Sequence, residues 1–409
     1  MARYTERLDS RVALVAGSIT YPLDRSARQA VTDLSRQASA NKAVVVLALQ
    51  PSTPLEQLGA LDARRLVTAL NWLTERHGTR FLLRFAPEMN GSWTPWGQRP
   101  RAYVAAFRDL ADAVHTGSLA AETVWAPAYG AGYPFGGSIN DVVRGAVVGS
   151  TVSPAERRAL DTDANGRLDE QDDPYAPYFP GDEAVDWVGL SVLRYGVRQR
   201  FGDNTLPGRD ELKDRLDDRF GYARATDRES FYTRYADRAG HPMLLLTGAL
   251  YNPQGPGVAE RALKRAWLQR VANAVRFRPQ IRAVVWLEDT RFEPEADSIV
   301  RWGLAPQRGL GRQMAAALEA GPFDLGPVAP VAVADSGPAG AAGRPGAVPD
   351  ASSGDDSRRD DTEASSRRAQ GAFGLSLPEL SALGAATLLL VGGIAALRYR
   401  RRQMRPPWL

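Results

Sequence analysis

The chain of 409 residues contains no cysteine. Disulfide frameworks, thiolate catalysis and cysteine metal sites are therefore excluded. Histidine occurs only at His77, His115 and His241, with no spacing that suits a metal. The glycines at 130, 132, 136 and 137 lack the following Lys-Ser/Thr of a phosphate loop. A net charge of +4 looks basic, but Arg398, Arg400, Arg401, Arg402 and Arg405 sit in the C-terminal tail, and without these five the balance is −1. The remainder is near neutral, so nothing in the charge points to nucleic acid.

What is present is a series of short apolar runs. Val12 to Ala16, Ala43 to Leu49, Phe81 to Phe85, Thr123 to Ala126, Val185 to Val192, Met243 to Thr247 and Ile281 to Leu287 read as buried strands. Helical patterns separate most of them, at Leu61 to His77, Ala102 to Val114 and Ala259 to Val275. Strand alternating with helix, with continuously apolar strands, predicts a parallel sheet. The length fits an α/β fold of the (β/α)8 barrel type over residues 1–320.

The segment that follows the third run carries the most chemistry. Leu83-Arg84-Phe85-Ala86-Pro87-Glu88-Met89-Asn90-Gly91-Ser92-Trp93-Thr94-Pro95-Trp96 ends a strand in a carboxylate, an amide and two tryptophans. Glu88 can protonate a glycosidic oxygen, Asn90 can bond sugar hydroxyls, and Trp93 and Trp96 offer flat apolar faces to pyranose rings.

This string resembles glycoside hydrolase family 26, the β-mannanases and related β-glycanases. Arg84, Glu88, Met89, Asn90, Gly91, Trp93, Pro95 and Trp96 match its signature, while Pro87 stands where many members have His. Val124-Trp125-Ala126-Pro127, Tyr178 to Gly189 and Ala283 to Trp286 resemble three further strand segments of the family. The resemblance implies that Glu88 is the acid/base at the end of barrel strand four. It implies that Arg84, Asn90, Trp93, Trp96, Trp125, Tyr195 and Trp286 contact substrate. It also implies that the seven strands are the second to the eighth, with the first missing from this chain through truncation or a misplaced start.

Two departures bear on activity. The family's nucleophile is a Glu ending strand seven, but the matching stretch here is Pro242-Met243-Leu244-Leu245-Leu246-Thr247-Gly248. The vacancy falls at Leu246 or Thr247, depending on the alignment. Where the family has a Tyr ending strand six, Leu193 stands, unless Tyr195 serves. A retaining glycosidase needs a second carboxyl about 5–5.5 Å from the first. The sequence therefore predicts a barrel that binds extracellular β-linked polysaccharide and hydrolyses it poorly or not at all. The alternatives are an active hydrolase using Glu288 or Asp289, and a scaffold with no carbohydrate ligand.

Residues Asp161 to Asp172 fit a calcium-loop frame, inside an insertion at about 150–184. Asp161, Asp163 and Asn165 hold positions 1, 3 and 5, and Gly166 makes the turn. Arg167 would give its carbonyl, and Asp169 and Asp172 complete the set. The implied cofactor is a structural Ca2+.

Beyond residue 320 the pattern changes. Residues 321–374 are rich in Ala, Gly, Pro, Ser and Asp, which predicts a disordered linker. Leu380 to Leu397 carry no charge, which predicts a membrane helix at 375–397. The basic tail at 398–409 then places the C-terminus in the cytoplasm and a monomeric barrel outside.

Overall fold

The computed structural model describes residues 2–329 except 92, 131–151, 169–171, 197–201, 219–228, 294–295 and 307, together with residues 386–391. Helix α1 (Ala2–Leu8) opens the chain. Seven strands follow, β1 (Leu14–Tyr21), β2 (Val44–Pro51), β3 (Phe81–Phe85), β4 (Ala121–Trp125), β5 (Trp187–Arg194), β6 (Met243–Ala249) and β7 (Ile281–Trp286). Each pairs in parallel with the next. They curl into the wall of a (β/α)8-like barrel, and each coincides within a few residues with an apolar run of the sequence.

Helices α2 (Arg25–Asn41), α3 (Ala60–His77), α4 (Pro100–Gly117), α5 (Pro154–Leu160), α6 (Glu211–Asp217), α7 (Glu260–Phe277) and α8 (Arg308–Glu319) cover the outside. After β7 an antiparallel hairpin, β8 (Thr290–Glu293) and β9 (Ser298–Arg301), folds over one end.

The pleat separates two cores. Leu14, Ala16, Val46, Leu82, Leu244 and Val285 belong to the cluster that fills the barrel interior. Val15, Leu47, Leu83, Leu245 and Val284, one residue out of phase, pack in the layer shared with the helices. This phase decides which side chains can reach a cleft at the strand ends.

The position between β7 and β1 is taken by β11 (Ala386–Val391), which pairs in parallel with both. A two-residue strand, β10 (Phe323–Asp324), lies against β11. The sequence reading placed these β11 residues in a membrane helix. The rest of 375–397, the tail at 398–409 and most of the expected linker lie outside the described residues. Among the described residues no helix is long and apolar enough to cross a membrane. Phe323 is buried and the Val328 N–H donates to the Lys42 carbonyl at 2.7 Å, so the first residues of the stretch read as linker pack against the barrel.

The insertion is docked by a long-range cap. Helix α4 begins at Pro100 behind Arg99, which supplies no side-chain cap. The buried Glu156 of α5 accepts from the N–H of Arg101 at 2.8 Å and of Ala102 at 3.1 Å. A carboxylate there satisfies two orphan donors and meets the positive end of the helix dipole. Glu156→Ala is expected to lower unfolding free energy by about 1–2 kcal/mol in urea titrations. An unchanged midpoint would show that α5 does not cap α4.

Candidate functional site

Glu88 sits in a strained turn at the end of β3. Ala86 and Glu88 both have left-handed backbones, with φ of 41° and 57°. Such residues cost about 1–2 kcal/mol each and persist where their surroundings fix them. Here the Ala86 N–H donates to Leu49 of β2 and the Glu88 N–H to Ala126 after β4, at 2.9 and 3.2 Å. Neighbouring strands thus hold the turn from both sides.

The two tryptophans have different tasks. Trp93 is 44% exposed, and its indole Nε1 donates to Glu88 Oε2 at 2.9 Å. Its ring lies so close over Gly91 that a Cβ there would fall 2.3 Å from it, so a larger residue would displace the indole. Trp96 is partly buried against the core and donates through Nε1 to the Pro87 carbonyl at 3.0 Å. It supports the turn from below.

Asn90 is 1% exposed, and its amide brackets Ala128, donating to the carbonyl and accepting from the N–H at 2.8 Å each. It latches the turn to the segment after β4. Arg84, on the inner face of β3, has a buried Nε without a partner. Burial pulls its pKa down to about 10, opposed by the nearby Glu88 carboxylate, so it remains charged at neutral pH. Ser18 and Gln50 share the inner faces of β1 and β2 with the interior cluster's Ala16 and Val46.

Trp125 and Trp286 do not reach the cleft. Both are fully buried on the outer faces of their strands. Trp125 stacks on Phe231 with centroids 5.6 Å apart, and Trp286 Nε1 donates to the Trp302 carbonyl at 2.9 Å. The pleat that turns Val124 and Val285 inward turns these tryptophans outward.

The vacancy on β6 resolves in the same way. Thr247 faces the helices, where its Oγ1 donates to the Val192 carbonyl at 2.8 Å and accepts from Trp267 Nε1 at 3.0 Å. Leu246 faces the interior, and Gly248 is next on that face. A Cβ on Gly248 would lie 3.2 Å from Leu287 and 3.3 Å from the Trp302 ring. Leu193, Tyr195, Leu287, Val300 and Trp302 form an apolar cluster there, with Tyr195 meeting Trp302 edge-on at 5.3 Å. The β5–β7 side of the mouth is therefore mostly apolar, with one buried carboxylate, Glu293, which accepts from Trp302 Nε1 at 3.2 Å and pairs with Arg291 at 2.7 Å.

Both substitute acids are engaged by other partners. Glu288 is two residues on from Trp286 in the same outward phase. It accepts from Tyr4 of α1 at 3.2 Å and from the Leu304 N–H. Burial pushes its pKa up to about 7. Lys264 of α7, pulled down to about 7 by burial, donates to the Arg301 carbonyl at 2.9 Å. Asp289 accepts from the Thr290 N–H at 2.7 Å and pairs with Arg291 at 3.3 Å.

In the insertion, Asp161, Asp163 and Asp172 each place a carboxylate oxygen within 4.8 Å of the others. Asn165 Oδ1 accepts from the Arg167 N–H at 2.7 Å. Asp169 lies outside the described residues.

Sequence reading missed Trp302, which closes the apolar side. A Trp followed by Gly-Leu in a surface-like stretch carries no spacing signal. It also missed Tyr175, whose hydroxyl accepts from the Gly130 N–H at 2.8 Å beside the Asn90 latch.

No protein-family model and no curated protein matches the chain. Solved structures that align with the chain include a GH26 β-mannanase from Bacteroides ovatus, at 11% identity and a TM-score of 0.36, over 60% of this chain and 65% of that one. An endo-β-1,4-mannanase double mutant from Cellulomonas fimi aligns at 16% identity and a TM-score of 0.45, over 76% and 65%. Fungal β-1,4-galactanases align at 11% and 0.40, over 68% and 78%. At these identities and scores the likenesses say nothing of activity.

Proposed function

We propose that this chain is a glycoside hydrolase-like barrel that binds β-linked polysaccharide of the β-mannan class and has lost the second carboxylate of hydrolysis. The observation that carries this reading is the inner face of β6, which ends in Leu246 and Gly248 under an apolar lid, while Glu88 is retained. Glu88 can still give a proton to a glycosidic oxygen. Double displacement also needs a carboxylate to attack the anomeric carbon, and inversion needs one about 6.5–9.5 Å away to activate water. Glu288 and Asp289 are committed to other partners. The exposed Trp93 face beside Glu88 supplies a platform for a pyranose ring. The polysaccharide class rests on the resemblance of residues 84–96.

Affinity electrophoresis in gels containing β-mannan, β-glucan or xylan tests this. Retardation in β-mannan supports the reading. Failure to bind any of the three would favour a scaffold without a carbohydrate ligand.

The C-terminal segment supports attachment to a membrane. Its uncharged stretch 380–397 is three times longer than β11 needs, and an arginine cluster follows. A span and a barrel strand exclude each other for these residues. Recovery of the full chain in the membrane fraction after carbonate washing supports the span, and recovery in the wash supports the strand.

A further inference from the structure

We infer that the loop after α5 is a calcium site whose occupancy braces the wall of the cleft. Asp161, Asp163 and Asp172 bring three carboxylate oxygens within 4.8 Å of one another. A cation among them would offset the mutual repulsion of the three charges. A second observation concerns Asp161. Its Oδ2 accepts from the Gly166 N–H at 2.8 Å, while its Oδ1 is buried with no hydrogen-bond partner. A carboxylate oxygen removed from water and given no donor can be satisfied by a cation. Asp172 is fully buried. All the donors are oxygens, which suits a hard cation and not a thiophilic or imidazole-seeking one.

The loop connects to the cleft through a run of hydrogen bonds. Asp172 Oδ1 accepts from the Thr162 N–H at 2.6 Å, and Thr162 Oγ1 accepts from the Asp173 N–H at 2.8 Å. Asp173 Oδ1 accepts from the N–H of Tyr175 and Ala176, at 2.8 and 3.0 Å. Tyr175 receives the Gly130 N–H, two residues from the Ala128 that Asn90 clamps. An ion between Asp161 and Asp172 therefore fixes the base of a strut that ends at the Glu88 turn.

The test is calorimetric titration of CaCl2 into the full chain in detergent after EGTA treatment, with melting followed by circular dichroism. We expect one ion per chain and a melting temperature higher by about 4 °C or more at a hundredfold excess over Kd. Amide exchange at Gly130 and Tyr175 is expected to slow when calcium is added. Asp161→Asn should lose the heat and the shift while melting like the wild type in EGTA. Should that variant not fold, Asp163→Asn, at an exposed position, gives the same comparison. No heat with millimolar calcium, or an equal response to magnesium, would overturn the assignment. The outcome is independent of whether the barrel binds glycan.

Discussion

Replacing Trp93 by alanine is expected to weaken retention by β-mannan by about tenfold or more. The indole is the large aromatic face left exposed beside Glu88, at 44%, whereas Trp96 is tied to Pro87 and Trp125 and Trp286 are buried behind the strands. Losing a stacked aromatic removes on the order of 1–2 kcal/mol of contact, and 1.4 kcal/mol is a factor of ten. Trp93→Phe separates two contributions. It keeps a ring for the sugar and removes the N–H that holds Glu88 Oε2. Retention near the wild-type value in the Phe variant, with loss in the Ala variant, assigns binding to the ring face. Equal retention in all three would place the sugar elsewhere.

The second large effect is on stability. Folded Glu288 releases its proton near pH 7, because burial disfavours its charge, whereas the unfolded residue releases it near 4.5. Between these values the folded state holds the extra proton. Its contribution is full below about pH 4.5 and is lost as the pH rises to about 7, by up to about 3 kcal/mol. Lys264 slopes the other way. Its folded pKa near 7 lies below the usual 10.5, so stability recovers from pH 7 towards 10.5. The pair therefore gives a dip near neutrality. Glu288→Gln should abolish the decline between pH 5 and 7 in urea midpoints, while the alkaline limb persists and begins at lower pH, because the Glu288 charge no longer raises the Lys264 pKa. A parallel decline in the variant would mean that Glu288 is not buried beneath α1.

The strands were legible because parallel strands buried on both faces are apolar without a break, as in Met243 to Leu246. Their phase was not. A run of four apolar residues does not say which alternate side chains face inward. Thr247 and Leu246 could be told apart only once Trp267 of α7 was seen donating to the Thr247 hydroxyl. The same ambiguity made Trp125 and Trp286 look like sugar contacts. Asn90 reads from sequence as a substrate contact, and its pairing with Ala128, 38 residues on, has no signal in the local sequence. Glu156, Tyr175 and Trp302 act through partners distant in sequence, which no local pattern announces. Residues 386–391 are apolar enough for a membrane or for a barrel strand, so composition could not choose between them.

The most direct test of the account is reducing-end release from β-mannan by the purified full chain, set beside Glu88→Gln. With Leu246 and Gly248 on the inner face of β6, both proteins should release no more than the polysaccharide alone. Release by the wild type that Glu88→Gln abolishes would show that a carboxylate still completes the site, and would contradict the account.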